Sequence, residues 1–228
     1  MLKSLILIFT CSLFFITGCE NSATLETDSQ KQSYSYGFFL GDDVIKKSID
    51  IDTDAFISGI KDGLNDTQQL SDEDVQAALQ DLEKTMREKY AQEVAELRVK
   101  NSEAQKAFLE QNKSNPDVVQ LSSGLQYKVI TPGKGTTKPS ETDTVVVNYR
   151  GTLLDGTEFD SSYSRNEPAT FQLNQVIPGW TEALKLMTEG SKWELYIPSE
   201  LAYGPRGTSG LIGPNQALIF EVELLSIK

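Results

Sequence analysis

The sequence predicts an α+β fold. Its C-terminal half is an antiparallel sheet wrapped on one short helix, preceded by an all-helical dimerisation domain with a long spacer helix. Three observations predict it. Up to about residue 113 the apolar residues recur at steps of three and four, the period of a helix. From Gly124 onward the period is two, with Gly- and Pro-containing turns between the apolar runs. Pro116 stands between the two regimes, where the charge balance also changes: roughly −9 for residues 20–113 against roughly −4 for residues 114–228.

The 228-residue chain carries 21 Lys+Arg against 33 Asp+Glu, a formal net charge of −12, and contains no histidine. Nucleic-acid binding is dominated by cations that neutralise phosphates, so an acidic chain without a Lys/Arg cluster is excluded from that class. The absence of histidine removes Ser-His-Asp and Cys-His nucleophile activation, histidine general-base chemistry and histidine-ligated metals. No metal site and no cofactor are expected.

The elements follow in order. Lys3 and the apolar stretches Leu5–Phe9 and Leu13–Ile16 have the charged and hydrophobic regions of a secretory signal spanning residues 1–18, too short and too weakly flanked for a transmembrane helix. Ile16-Thr17-Gly18-Cys19 resembles a bacterial lipobox, which implies that the mature chain begins at Cys19 with lipid on its sulfur. Cys11, the other cysteine, then leaves with the leader, and no disulfide or thiolate chemistry remains. The loss of Lys3 takes the charge to about −13, so anchoring must come from acyl chains, not from attraction to anionic headgroups. Residues 19–30 read as a polar tether.

Residues 31–113 form the helical domain. Ser33–Lys47 places Tyr36, Phe39, Leu40 and Val44 on one side, and Asp52 or Thr53 caps a second helix bearing Ala55, Phe56, Ile60 and Leu64. Ser71-Asp72-Glu73-Asp74 opens a third, with a serine cap and negative charge at the positive end of the helix dipole. Its stripe of Val75, Leu79, Leu82, Met86, Tyr90, Val94, Leu97, Asn101, Ala104 and Phe108 meets no Pro or Gly before Pro116, so the helix runs some 40 residues, or about 60 Å. The first half is expected to pack on the two short helices, and the later half, rich in Glu, Lys and Gln, to stand in solvent as a spacer. About 80 residues in three helices make a thin core and leave Phe38 and Phe39 uncovered, which favours a homodimer through this segment.

Residues 117–228 form the sheet domain. Leu125–Ile130, Thr144–Tyr149, Trp193–Ile197 and Ala217–Ile227 read as strands, and Asp155-Gly156 as a hairpin turn between Leu153-Leu154 and Phe159. One helix starts at Pro178, where proline suits the first turn, and carries Trp180, Ala183, Leu184 and Met187 until Gly190 stops it.

Val147-Asn148-Tyr149-Arg150-Gly151, Asp155 to Ser162, Val176-Ile177-Pro178-Gly179-Trp180, Ile197-Pro198, Leu201-Ala202-Tyr203-Gly204 and Leu218 to Leu225 resemble, in order and spacing, the FKBP-type peptidyl-prolyl isomerases. The likeness covers residues 120–228. Residues Tyr34–Gly41 and the long helix resemble more loosely the dimerisation module of the subgroup formed by the macrophage infectivity potentiators and FkpA. There two chains intertwine through short helices and hold two isomerase domains apart.

The resemblance implies a pocket lined by Tyr149, Phe159, Asp160, Phe171, Val176, Ile177, Trp180, Tyr203 and Phe220, with Trp180 as its floor. It implies that Tyr203 donates to the substrate carbonyl, that Ile177 offers its backbone N–H, and that Asp160 polarises the site through Tyr149 or Arg165. Read from the residues alone, Phe159, Phe171, Val176 and Phe220 suit any sheet-on-helix core equally well. Ala169 stands where some members place an aromatic, and Leu211 with Ile212 supplies the apolar contact of the Gly-rich loop Pro205–Pro214, so one side of the rim is expected to be shallow.

The chemistry fits the composition. Rotation about an Xaa-Pro bond opposes an amide barrier of about 20 kcal/mol and needs neither nucleophile nor metal. A dry aromatic pocket favours the twisted amide because twisting reduces its charge separation. The expected activity is therefore isomerisation of Xaa-Pro bonds in unfolded or folding chains of the cell envelope, with FK506-like macrolides as inhibitors. Two other readings predict different behaviour: a holdase chaperone that clasps proline-containing chains without catalysis, and an adhesin that merely retains the fold. Glu20 is not the aspartate associated with inner-membrane retention, which favours the outer membrane, facing the periplasm or the cell surface.

Overall fold

The computed structural model describes residues 24–47 and 49–228. The signal segment, Cys11 and the expected lipidation site Cys19 lie outside the described residues. The chain divides into two compact units, with the boundary after Val75.

In the first unit, α1 (Asp28–Lys46) begins five residues before the expected Ser33. Thr27 and Gln30 form a capping box: Thr27 Oγ1 accepts from the Gln30 N–H and Gln30 Oε1 from the Thr27 N–H. Capping residues look like polar tether in a sequence, which is why the start is hidden there. In α2 (Thr53–Asn65), Asp52 Oδ1 accepts the Ala55 N–H at 2.8 Å, and Asp66 ends the helix in the left-handed region at φ 57°. Neither helix buries a residue within this chain. Ser71 Oγ accepts the Asp74 N–H at 3.1 Å and starts α3 (Asp72–Asn112), 41 residues without a break.

The second unit holds the sheet: β1 (Val118–Gln120), β2 (Gln126–Thr131), β3 (Thr144–Leu153), β4 (Glu158–Ser161), β5 (Ala169–Gln172), β6 (Lys192–Ile197) and β7 (Leu218–Ile227), with α4 (Pro178–Leu184) between β5 and β6. All described pairings are antiparallel, in the order β1-β2-β6-β7-β3-β4. β5 also lies on β3, so β3 carries β5 along its first half and β4 along its second. Alternate residues Val145, Val147, Tyr149 and Leu153 of β3 are buried, as are Leu218, Phe220, Val222 and Leu224 of β7. They share one core with Trp180, Ala183 and Leu184 of α4. This helix stops at Leu184, short of the expected Gly190, because Leu186 and Met187 turn tightly on the carbonyls of Ala183 and Leu184, which buries Met187 at the same time.

The later part of α3 departs from expectation. One face of residues 98–112 lies against the sheet domain, while the opposite face stays exposed. Gln105 is buried, Phe108 packs on Tyr196 with ring centroids 5.8 Å apart, and Gln126 binds the Leu109 carbonyl and the Asn112 amide at 2.9 Å each. The contacts are mostly amide-to-backbone, so the docking stripe carries little apolar signal in the sequence.

Candidate active site

β3, β4, β5, α4 and the segment after β6 enclose a cavity of about 460 Å³ lined by Tyr149, Phe159, Asp160, Phe171, Gln175, Val176, Ile177, Trp180, Tyr203 and Phe220. All nine residues expected to line a pocket are brought together. Gln175 is an addition, the last residue of a 3-10 turn before Val176; a polar residue in an irregular segment carries no periodic signal. Arg165 stands beside the cavity, not in its wall, and acts on it through Asp160 and Tyr149. Leu211 is not a lining residue: it is exposed on its loop, whereas Ile212 turns into the core.

Trp180 forms the floor because proline starts α4 two residues earlier and Gly179 lets the helix approach β6; a Cβ there would lie 2.5 Å from Ile197 Cγ2. Its indole meets Tyr149, Phe171 and Phe220 edge to face, at centroid distances of 5.2, 5.6 and 5.2 Å. Such tilted contacts place positive ring edges on negative faces. The indole N–H is buried without an acceptor among the described residues, an arrangement that costs about 1–3 kcal/mol and is tolerated at this floor.

Phe159 and Asp160 are neighbours in β4, yet both face the cavity, which strict alternation forbids. The β3–β4 register shifts between Gly151 and Thr152, and the extra residue re-aims the strand. Ser162 pins the far end by accepting the Tyr149 N–H at 2.9 Å while its own N–H binds the Tyr149 carbonyl.

A three-membered polar cluster sits on the rim. The Tyr149 hydroxyl donates to Asp160 and accepts from Arg165 Nη2 at 2.8 Å, and Arg165 Nη1 donates to Asp160 Oδ1 at 2.6 Å. The guanidinium also lies 5.6 Å from the Tyr149 ring centroid. Burial opposes the charge of Asp160, but the hydrogen bonds from Tyr149 and Arg165, with the guanidinium charge, outweigh it and hold the carboxyl below its ordinary value of 3.8. Burial, then the bond to Asp160, pushes the Tyr149 hydroxyl above 10.0. Burial, then the Asp160 charge, does the same for Tyr203. The site therefore holds a fixed anion and two neutral phenols at neutral pH. Among the described residues, neither the Tyr203 hydroxyl nor the Ile177 N–H has a hydrogen-bond partner. Two donors are thus open to a ligand above an aromatic floor.

A sheet wrapped on one short helix, with an aromatic cavity whose lining holds no Ser, Cys or Lys, defines a binding pocket able to desolvate a flat apolar group and hold a carbonyl. Residues 135–225 match the family described as FKBP-type peptidyl-prolyl cis-trans isomerase, and residues 29–129 match the domain amino-terminal to it. The chain is 47% identical to the outer membrane protein MIP of Legionella longbeachae, over 91% of this chain and 89% of that protein. It is 43% identical to the peptidyl-prolyl cis-trans isomerase Mip of Coxiella burnetii, over 100% of this chain and 99% of the other. The crystal structure of FkpA from Escherichia coli superposes with a TM-score of 0.72 at 40% identity, covering 90% of this chain and 99% of that one. The chain belongs to the FKBP-type peptidyl-prolyl cis-trans isomerase family.

Proposed function

We propose that this cavity isomerises Xaa-Pro bonds in unfolded or folding proteins of the bacterial envelope. The carrying observation is the pairing of an edge-to-face aromatic floor with two open donors, Tyr203 Oη–H and Ile177 N–H, on one cavity. The proline ring seats on Trp180 between Tyr149, Phe171 and Phe220, and the preceding carbonyl meets the Tyr203 hydroxyl and the Ile177 N–H. In the planar amide the nitrogen lone pair is delocalised onto oxygen; twisting localises it and lowers the charge separation. The water-poor aromatic wall disfavours the planar form more than the twisted one, so the barrier falls without a covalent step. Tyr149, Asp160 and Arg165 form a rigid cluster that keeps the rim in place and sets the field at the carbonyl.

The proposed site residues are Tyr149, Asp160 and Tyr203 for the reaction, and Phe159, Phe171, Val176, Ile177, Trp180 and Phe220 for binding, with Arg165 acting through Asp160. FK506-like macrolides occupy the same cavity. Lipid on Cys19 anchors the chain, at the outer membrane by the reading of Glu20, and the N-terminal helices join two copies.

The test is the cis-to-trans rate of a short Xaa-Pro peptide with and without FK506. Acceleration that the drug abolishes, falling about tenfold in Tyr203→Phe and in Asp160→Ala, supports the reading. A folded protein that gives no acceleration, yet suppresses aggregation of an unfolded client, turns the assignment to a holdase.

A further inference from the structure

The segment that carries Tyr203 has little regular structure of its own. Between β6 and β7 it makes two single 3-10 turns, Ser199–Leu201 and Gly204–Arg206. Gly204, Gly207 and Asn215 all have positive φ, and Ala202 lies at φ −128° and ψ −111°. Such a stretch has many alternative paths, and its order must come from what holds it.

α3 holds it. Gln105, only 7% exposed, spends one amide on two successive residues: Oε1 accepts the Ser199 N–H at 2.7 Å, and Nε2 donates to the Glu200 carboxylate at 3.1 and 3.3 Å. One turn earlier, Asn101 Nδ2 donates to the Pro214 carbonyl at 2.8 Å. Arg98 Nε donates to the Pro205 carbonyl at 2.9 Å, and the Arg98 carbonyl accepts from Asn215 Nδ2 at 3.3 Å. Residues 98, 101 and 105 lie at steps of three and four on one helix face. They grip the segment four residues before Tyr203, two residues after it, and again where it returns at 214–215. Three of these six bonds reach main-chain atoms of the segment, at Ser199, Pro205 and Pro214, and so set the path of its backbone.

We propose that the C-terminal turns of α3 are part of the isomerase site, with Gln105 as a positioning residue that acts through Tyr203. The inference rests on the reading of Tyr203 as the donor to the substrate carbonyl. Gln105 does not line the cavity and touches no reacting atom; it fixes Ser199 and Glu200, and thereby the turn from which Tyr203 projects.

The test measures kcat/KM for an Xaa-Pro peptide in the full chain, in a double-mutant cycle of Gln105→Ala and Tyr203→Phe. Gln105→Ala is expected to lower kcat/KM about tenfold in the wild-type background and less than about twofold in the Tyr203→Phe background. Gln105→Glu sets one carboxylate against Glu200 and is expected to lose about as much. Adding Glu200→Gln reverses the amide–acid pair, leaves an acceptor for the Ser199 N–H, and restores the rate to within about twofold. Should Gln105→Ala fail to fold, Arg98→Ala removes a single bond from an exposed side chain and is expected to cost about threefold under the same cycle. Equal losses in both Tyr203 backgrounds, or a reversed pair that does not restore the rate, overturn the positioning role while Tyr203 keeps its own. A Tyr203→Phe variant as fast as wild type overturns the reading of Tyr203, and the positioning with it.

Discussion

Asp160 shows how one side chain sets the working range of the site. Its carboxyl is held below 3.8 in the fold, so the ionised form is favoured there. A depressed carboxylate contributes stability above its unfolded value and loses it as pH falls through the folded value. Tyr149 and Tyr203 are displaced upward from 10.0, so their contribution is present below that value and lost as pH rises past it. The proton pattern of the site is therefore constant across the neutral range. kcat/KM is expected to be flat from mildly acidic to mildly alkaline pH, to fall below 3.8 as Asp160 takes up a proton, and to fall above 10.0 as Tyr203 loses the proton it donates; a pH–rate profile of the full chain checks this. An inflection near neutrality would show that some other group controls the rate. In Asp160→Ala the acid limb should vanish together with most of the activity.

Among the elements, the segment between β6 and β7 is the most exacting. Gly207 has φ 64° and ψ −150°, a conformation that side chains rarely adopt, and a Cβ there would lie 2.3 Å from the Ile212 carbonyl oxygen. Backbone is on the receiving side, so the clash cannot relax by a rotamer change. Gly207→Ala is expected to destabilise the sheet domain by about 2 kcal/mol or more, read as a shifted urea midpoint, and to reduce isomerase activity beyond the loss in folded fraction. Gly156 also has positive φ, at 87°, but a Cβ there meets open space. Its replacement by Ala should cost only the backbone strain, about 1 kcal/mol. The contrast separates a glycine needed for conformation from one needed for conformation and room.

For the whole molecule, the unresolved balance is apolar surface. In the single chain Tyr36, Phe38 and Phe39 are 67%, 65% and 61% exposed, and Leu64 82%. Large residues gathered on two short helices with no buried residue of their own need a partner surface. The proposed homodimer supplies it. Phe38→Asp with Phe39→Asp should shift the chain from dimer to monomer in sedimentation. Peptide isomerisation should be little changed, because those residues are remote in sequence from every lining residue of the cavity. Refolding of a proline-limited protein substrate should slow more than peptide turnover if two sites act on one client.

The sequence by itself determined the two-part architecture, the helices, the strands β2, β3, β6 and β7 with the hairpin turn into β4, and the nine residues that meet in the cavity; the short strands β1 and β5 carry no apolar run long enough to mark them. Period-two alternation, turn glycines and Pro178 act locally, and six short blocks in the right order carry a long-range likeness that no single block holds. The helical period likewise determined the length of α3. Only the tertiary structure decided where that helix goes after Leu97. Its docking face is Arg98, Asn101, Gln105, Phe108 and Asn112, four of the five polar; the helical stripe picks out Asn101 and Phe108 but passes over Arg98, Gln105 and Asn112, which make most of the hydrogen bonds. Hydrogen bonds to a loop's backbone depend on where that loop lies in space, and the loop's path depends in turn on the helix. The same holds for Gln175, for the bulge that turns Phe159 and Asp160 to one side, and for Leu211, whose side chain could face in or out until Ile212 took the core position. Local preference settles which elements form; mutual burial and the need of main-chain groups for partners settle how they meet.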